Sequence, residues 1–275
     1  MNSISHRFAA IATVLAGFAA LAGLIVPGLY VDAPNWVQQA RGTDLATLFL
    51  AVPVLAIGLW SAGRGHAAGE PVVVAGLLYL VYNYAIFAFS VAMNPLTAMY
   101  IAILGLALWS LVLGGRDAVA GTEDLADRLN RRAAGGLLVA VGLSFSLLWL
   151  GQIIATSTTG TLPPDLVKAG ISANPVYALD LAFFLPLCAL AGVGLLRRSS
   201  AAVLAFPMLI WVPLMGAGVV GGFVLMAAAG DGAGVPVAVA VTGLGVVASV
   251  LAAAAIARPN LRRRLLPRHM KGAAS

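Results

Sequence analysis

Two aspartates stand inside runs that are otherwise almost wholly apolar. Asp44 lies in TDLATLFLAVPVLAIGL, residues 43–59, and Asp180 in LDLAFFLPLCALAGVGL, residues 179–195. A carboxylate held out of water must pair, border a wet cavity or take up a proton. Such an acid can carry a proton or bind a cation. Two of them held several ångströms apart could also act as acid and base on a lipid-linked substrate. The bland alternative is a helix N-terminus, whose positive dipole end favours a carboxylate by roughly 0.3–1 kcal/mol. That account suits Asp44. It suits Asp180 less, because NPVYALD makes Asn174 the cap and places Pro175 in the first turn.

Other polar side chains sit at helical spacing. In PVVVAGLLYLVYNYAIFAFSVAMN, residues 71–94, the side chains of Tyr79, Asn83, Ser90 and Asn94 fall within an arc of about 60° and cover about 22 Å of rise. Tyr82 and Tyr84 flank that arc. A second stripe comprises Phe145, Trp149, Gln152 and Thr156. Four polar groups on one face do not favour lipid. They serve either as interhelical glue, at about 0.6 kcal/mol per bond, or as the lining of a cavity. Arg41 precedes Asp44 by three residues and is placed to pair with it, and Tyr177 stands three residues before Asp180. The candidate binding residues are therefore Asp180, Asp44, Asn83, Tyr79, Asn94, Gln152, Trp149, Tyr177 and Arg41.

Several chemistries lack their parts. His6, His66 and His269 all lie between or outside the apolar runs, so no pair can hold a b-type haem within them. No lysine lies in an apolar run to form a Schiff base. Cys188 is the single cysteine, which excludes an intramolecular dithiol relay. There is no Walker A loop, HExxH or GxSxG. Neither a metal nor a cofactor is expected.

The elements that must position these residues follow from composition. Of the 275 residues, 61% are hydrophobic and 9% charged, against roughly 25% charged in soluble domains. Lipid must be the main solvent. A helix crossing about 30 Å of hydrocarbon needs about 20 apolar residues. Runs of this kind predict eight spans, at 8–26, 43–62, 71–93, 97–113, 134–154, 176–195, 201–229 and 236–256. The first reads as an anchor helix rather than a cleaved signal, because it exceeds a usual signal core and no A-x-A site follows.

With the N-terminus cytoplasmic, 14 of the 16 Lys and Arg residues fall on the inner side, and only Arg41 and Lys168 outside. This bias fixes orientation and predicts a protein of the cytoplasmic membrane with both termini in the cytoplasm. The net charge of +6 therefore belongs to membrane flanks rather than to a nucleic-acid surface.

The two aspartate segments align without a gap at a spacing of 136 residues, with Gly58 matching Gly194 and Leu59 matching Leu195. Each follows a longer outer loop. This predicts two parallel four-helix halves, 1–113 and 134–257. A cytoplasmic connector helix over 114–133 joins them, with Thr122 as N-cap and Asp124–Arg128 and Asp127–Arg131 as pairs one turn apart. The tail, 258–275, is basic and suited to anionic lipid at about 1 kcal/mol per cation. Proline at 53, 186, 207 and 213 and the GAGVVGG run of the seventh span, with Gly218 and Gly222 in GxxxG spacing, point to close packing or hinges.

The leading functional reading is a transporter-like protein. It binds a small or amphiphilic solute in an outward-facing cavity between the halves, with Asp180 as proton or ion carrier. One alternative is an enzyme using Asp44 and Asp180 on a lipid-linked substrate. The other is a non-catalytic subunit that packs against a partner or a second copy.

Overall fold

The computed structural model describes residues 1–120 and 122–258. Eight helices among them are long and apolar enough to cross a membrane, and no strand is present. The protein is an all-α polytopic membrane protein. Its exterior is oil-compatible, with Phe18, Phe49, Leu147 and Val239 among the large apolar side chains left exposed.

The first span is α1 (Ser3–Ile25), whose Asn2 cap accepts from the Ser5 amide. The second span is continuous over Pro34–Gly63. It comprises α2 (Pro34–Ala46), a π-helical turn (Thr47–Ala51) and α3 (Val52–Gly63). Next come α4 (Gly69–Phe89) and α5 (Thr97–Ala120), then the short α6 (Glu123–Arg128), and α7 (Arg131–Thr159). A surface helix, α8 (Pro164–Ala169), precedes the sixth span. That span comprises α9 (Pro175–Leu179), a second π-helical turn (Asp180–Phe184) and α10 (Leu185–Arg197). A 3-10 turn at Ser200–Leu204 leads into α11 (Ala205–Ala228), and α12 (Val235–Ala257) ends the bundle.

The number of spans agrees with the hydropathy reading, but the helices outrun it. The second begins at Pro34, not residue 43, because Pro34 sits at N1 and starts the helix in polar sequence. Asp44 is therefore ten residues into a helix, too deep for a dipole effect confined to the first turn. The fourth span runs on to Ala120 despite Gly114 and Gly115, so the expected connector over 114–133 is divided. Its first part belongs to α5 and its independent part is only α6. Thr122 stands before α6 but does not cap it. Its hydroxyl donates instead to the carbonyls of Val119 and Val203, each at 2.7 Å. The Asp127–Arg131 pair forms at 3.0 Å. The basic tail beyond Arg258 lies outside the described residues.

The arginine-rich loops gather at one end of the bundle. The Met1 amine meets Glu70 at 3.1 Å, and Arg128 and Arg258 each donate to the other's backbone carbonyl, at 3.2 and 2.6 Å. Arg41 and Lys168 lie toward the other end.

Small residues let the helices approach. On α1, Ala9, Ala12, Ala16 and Ala19 are buried, and α1 packs chiefly on α5. The first four spans are joined to the rest mainly through α11, which packs along α2 and more lightly on α4. At the α2–α11 crossing a Cβ on Gly42 would strike the backbone of Gly221 and Gly222. Helix α4 is the spine, with 67% of its most apolar stretch buried, against 17% for α7.

The two π-helical turns have a local cause. Each ends two residues before a proline, Pro53 and Pro186. In an α-helix the proline ring collides with the carbonyl four residues earlier, here Phe49 or Ala182. The widened turn moves that carbonyl aside. The wide turns lie 133 residues apart, three fewer than the aspartates. Asp180 opens its own wide turn, whereas Asp44 precedes its turn by three residues and Thr47 opens it. Both opening side chains face α4. Thr47 bonds the Tyr79 hydroxyl at 2.8 Å, and Asp180 faces the hydroxyl of Tyr82.

Candidate functional site

Asp180 is placed by its own helix start. The Asn174 side chain accepts from the Val176 amide at 2.9 Å and Pro175 fixes the first turn, as the sequence predicts. The chain then widens, and Asp180 projects toward α4 and α7. Its side chain is buried, with the residue 8% exposed. Oδ2 accepts from the Trp149 indole N–H at 2.7 Å, and Tyr82 of α4 lies beside it. Both neighbours are neutral. Among the described residues no Lys, Arg or His lies within 4 Å of this carboxylate.

Aromatic rings surround the acid. Trp149 stacks on Tyr177 at 4.8 Å between centroids, and the Tyr177 hydroxyl donates to Gln152 Oε1. Tyr82 meets Phe184 edge-on at 4.9 Å. Phe184 in turn stacks on Trp211 at 5.1 Å, nearly parallel. Such pairs contribute about 0.5–1.5 kcal/mol each beyond burial, enough to hold the ring orientations around one charge.

Asp180, Trp149, Tyr82 and Trp211 line a cavity of about 840 Å³. Its walls come from α2, α4, α7, α11 and α12, so both parts of the chain contribute. Most of the lining is apolar, including Phe145, Leu148, Met215, Phe223, Val241 and Leu244. Asn83 adds an amide, whose nitrogen donates to the Tyr79 carbonyl at 3.0 Å. Toward the arginine-poor end the lining includes Asp165, Lys168 and Asp231. There Lys168 and Asp231 approach to 3.5 Å between the loop helix α8 and the turn before α12. Helices α7 and α12 touch each other little, and Leu148 is 48% exposed although it lines the cavity.

Of the residues expected from sequence, the cavity gathers Asp180, Asn83, Trp149 and Gln152, with Tyr177 directly behind them. The others lie elsewhere. Asp44, 3% exposed, accepts from the Tyr30 hydroxyl at 2.6 Å and is not part of the lining. Burial, and then the Asp44 charge, holds the pKa of the Tyr30 hydroxyl well above its usual value, so it stays a donor. A Cβ on Gly23 would run into both groups. Arg41 is near enough to act on Asp44 through space but makes no ion pair within 4 Å among the described residues. Tyr79 is fully buried, bonding Thr47 and the Thr43 carbonyl. Asn94 shapes the turn before α5 by accepting from the Leu96 amide at 2.9 Å. The polar row on α4 is thus divided between helix joints, a turn and the cavity.

Sequence reasoning passed over Tyr82 as a flank and did not single out Trp211, Lys168 or Asp231. Trp211 sits in a uniformly apolar run, and nothing local marks it. Among the described residues, no group of three or more His, Cys, Asp or Glu side chains is arranged to hold a metal. In comparisons with known proteins the chain matched no family model, no curated protein and no solved structure.

Proposed function

We propose that this membrane protein is transporter-like and binds a small amphiphilic solute in the cavity beside Asp180. One observation carries the reading: a buried carboxylate on the wall of an 840 Å³ chamber has a hydrogen-bond donor in Trp149 but, among the described residues, no Lys, Arg or His within 4 Å. Ligand cavities commonly run from about 300 to 1,000 Å³, with apolar walls and a few placed polar groups. Asp180 exchanges a proton or cation with the solute path, since a buried charge without a partner is costly. Gln152 and Asn83 orient the solute by hydrogen bonds. The charge bias of the loops sets the arginine-rich end in the cytoplasm, which turns the cavity mouth outward. The two four-helix halves supply its opposite walls. An acid–base pair of Asp44 and Asp180 draws no support from the geometry, because Asp44 is closed against Tyr30 and only Asp180 borders the chamber.

The test is chemical access. Asn83→Cys, in a Cys188→Ala background, is treated with a membrane-impermeant maleimide added to whole cells. Labelling from outside is expected, with protection by the neutral amphiphile N-phenyl-1-naphthylamine. Thr159→Cys, at an exposed position, serves as control. If the control reacts and Asn83→Cys does not, or if the amphiphile gives no protection, the outward-facing cavity is wrong.

A further inference from the structure

We infer that the cavity selects lipophilic organic cations: a single positive centre on an apolar, preferably aromatic, body. The inference rests on the binding-cavity reading above and names the chemistry of its occupant. Three independent features agree. First, the Asp180 carboxylate has a neutral donor, Trp149, but no Lys, Arg or His at ion-pair distance among the described residues. The missing positive charge is therefore left for a ligand. An anionic ligand would instead place a second negative charge against a buried one, which is strongly disfavoured. Second, Trp149, Tyr82 and Trp211 line the cavity together with that carboxylate. A cation over an aromatic face gains about 0.5–2 kcal/mol, most with tryptophan and most when dry. A carboxylate among aromatic faces can hold a soft, weakly hydrated cation without the dense hydrogen bonding that a small metal ion requires. Third, the lining toward the mouth carries Asp165 and Asp231 against Lys168, an excess of acid in the lining that attracts cations on approach.

The remaining lining is aliphatic and phenyl, through Phe145, Leu244 and Phe223, and fits the apolar body of such a solute. No covalent step is involved. The cation replaces the proton or inorganic cation that otherwise balances Asp180.

The experiment compares two probes of the same shape and opposite charge, tetraphenylphosphonium and tetraphenylborate. Binding is read by equilibrium dialysis on the purified full-length protein in detergent. Saturable binding of the phosphonium is expected, with the borate at least about tenfold weaker. Asp180→Asn, with folding checked by circular dichroism, is expected to weaken phosphonium binding at least about tenfold. Trp149→Leu is expected to weaken it severalfold and Trp149→Phe much less, because the ring face persists. The wild-type comparison needs no variant and stands even if Asp180→Asn does not fold. Equal binding of phosphonium and borate overturns the inference, as does unchanged phosphonium binding in a folded Asp180→Asn. If the neutral amphiphile protects Asn83→Cys but the phosphonium does not bind, the charge assignment fails and the cavity reading survives. If neither probe occupies the chamber, both fail.

Discussion

Gly42→Ala should loosen the joint between α2 and α11, although Gly→Ala inside a helix normally stabilises. Alanine gains about 0.5–1 kcal/mol over glycine in a helix interior. Here the added Cβ would meet the Gly222 amide nitrogen, and would lie 2.5 Å from both the Gly221 carbonyl carbon and the Gly222 Cα. Carbon atoms rest at about 3.5–4.0 Å, so the helices must part by roughly 1 Å. All three neighbours are backbone and cannot rotate away. Overpacking of this kind costs about 1–3 kcal/mol, and close packing of small residues is a main source of helix association in lipid. The net expectation is a loss of about 1–2 kcal/mol. Gly218→Ala is the internal control. Its Cβ would lie 3.5 Å from the Thr43 hydroxyl oxygen, an ordinary contact, so it should be neutral or stabilising by up to about 1 kcal/mol. Gly222→Ala falls between, because its clash is largely with the mobile Gln39 side chain. Reversible unfolding in mixed micelles, followed by tryptophan fluorescence, measures all three. Trp36 on α2 and Trp211 on α11 report on the two helices involved. If Gly218→Ala proves as harmful as Gly42→Ala, or if Gly42→Ala costs nothing, the crossing does not depend on that contact.

Two further perturbations follow from the same structure. Tyr30→Phe removes the donor to the buried Asp44 carboxylate and should cost about 1.5–3 kcal/mol, the usual worth of a bond to a charged group. In a double-mutant cycle with Asp44→Asn the two losses should fail to add, and additive losses would show that the pair does not interact. Thr122→Val keeps the side-chain shape but removes the hydroxyl bond to the Val203 carbonyl, which ties α6 to the turn before α11. A loss of about 1 kcal/mol in the same unfolding assay is expected, and no change would mean that the tie contributes nothing.

The offset between the aspartates and the wide turns bears on the alignment of the two segments. Gapless alignment pairs Asp44 with Asp180 at 136 residues, yet the prolines and wide turns pair at 133. On the second register Thr47 corresponds to Asp180, and each meets a tyrosine hydroxyl of α4, Tyr79 or Tyr82, three residues apart. A proline's effect on its own turn is local, and it does not always widen the turn, since Pro213 stands within the unbroken α11. The residue that opens the turn is then free to be a neutral joint in one place and an acid in the other.

The sequence by itself determined the solvent, the helical class and the number of spans, because each depends on the length and apolarity of one contiguous run. It also determined the start of the sixth span, since Asn174 and Pro175 act on the amides beside them. The Asp127–Arg131 pair was likewise legible, being one turn apart on the chain. Hydropathy could not find the helical extensions at Pro34 and toward Ala120, because backbone hydrogen bonding continues where apolarity stops. Only the tertiary structure decided what each polar residue faces. Helical periodicity places Tyr79 and Asn83 on one stripe, but the rotation of α4 in the bundle aims one at Thr47 and brings the other to the cavity. The two aspartates look alike in sequence, and their neighbours separate them. Tyr30 closes over Asp44, while Trp149 and Tyr82 hold Asp180 at the edge of open space. Those partners come from other helices, and which helices meet is set by the packing of whole surfaces rather than by any local run.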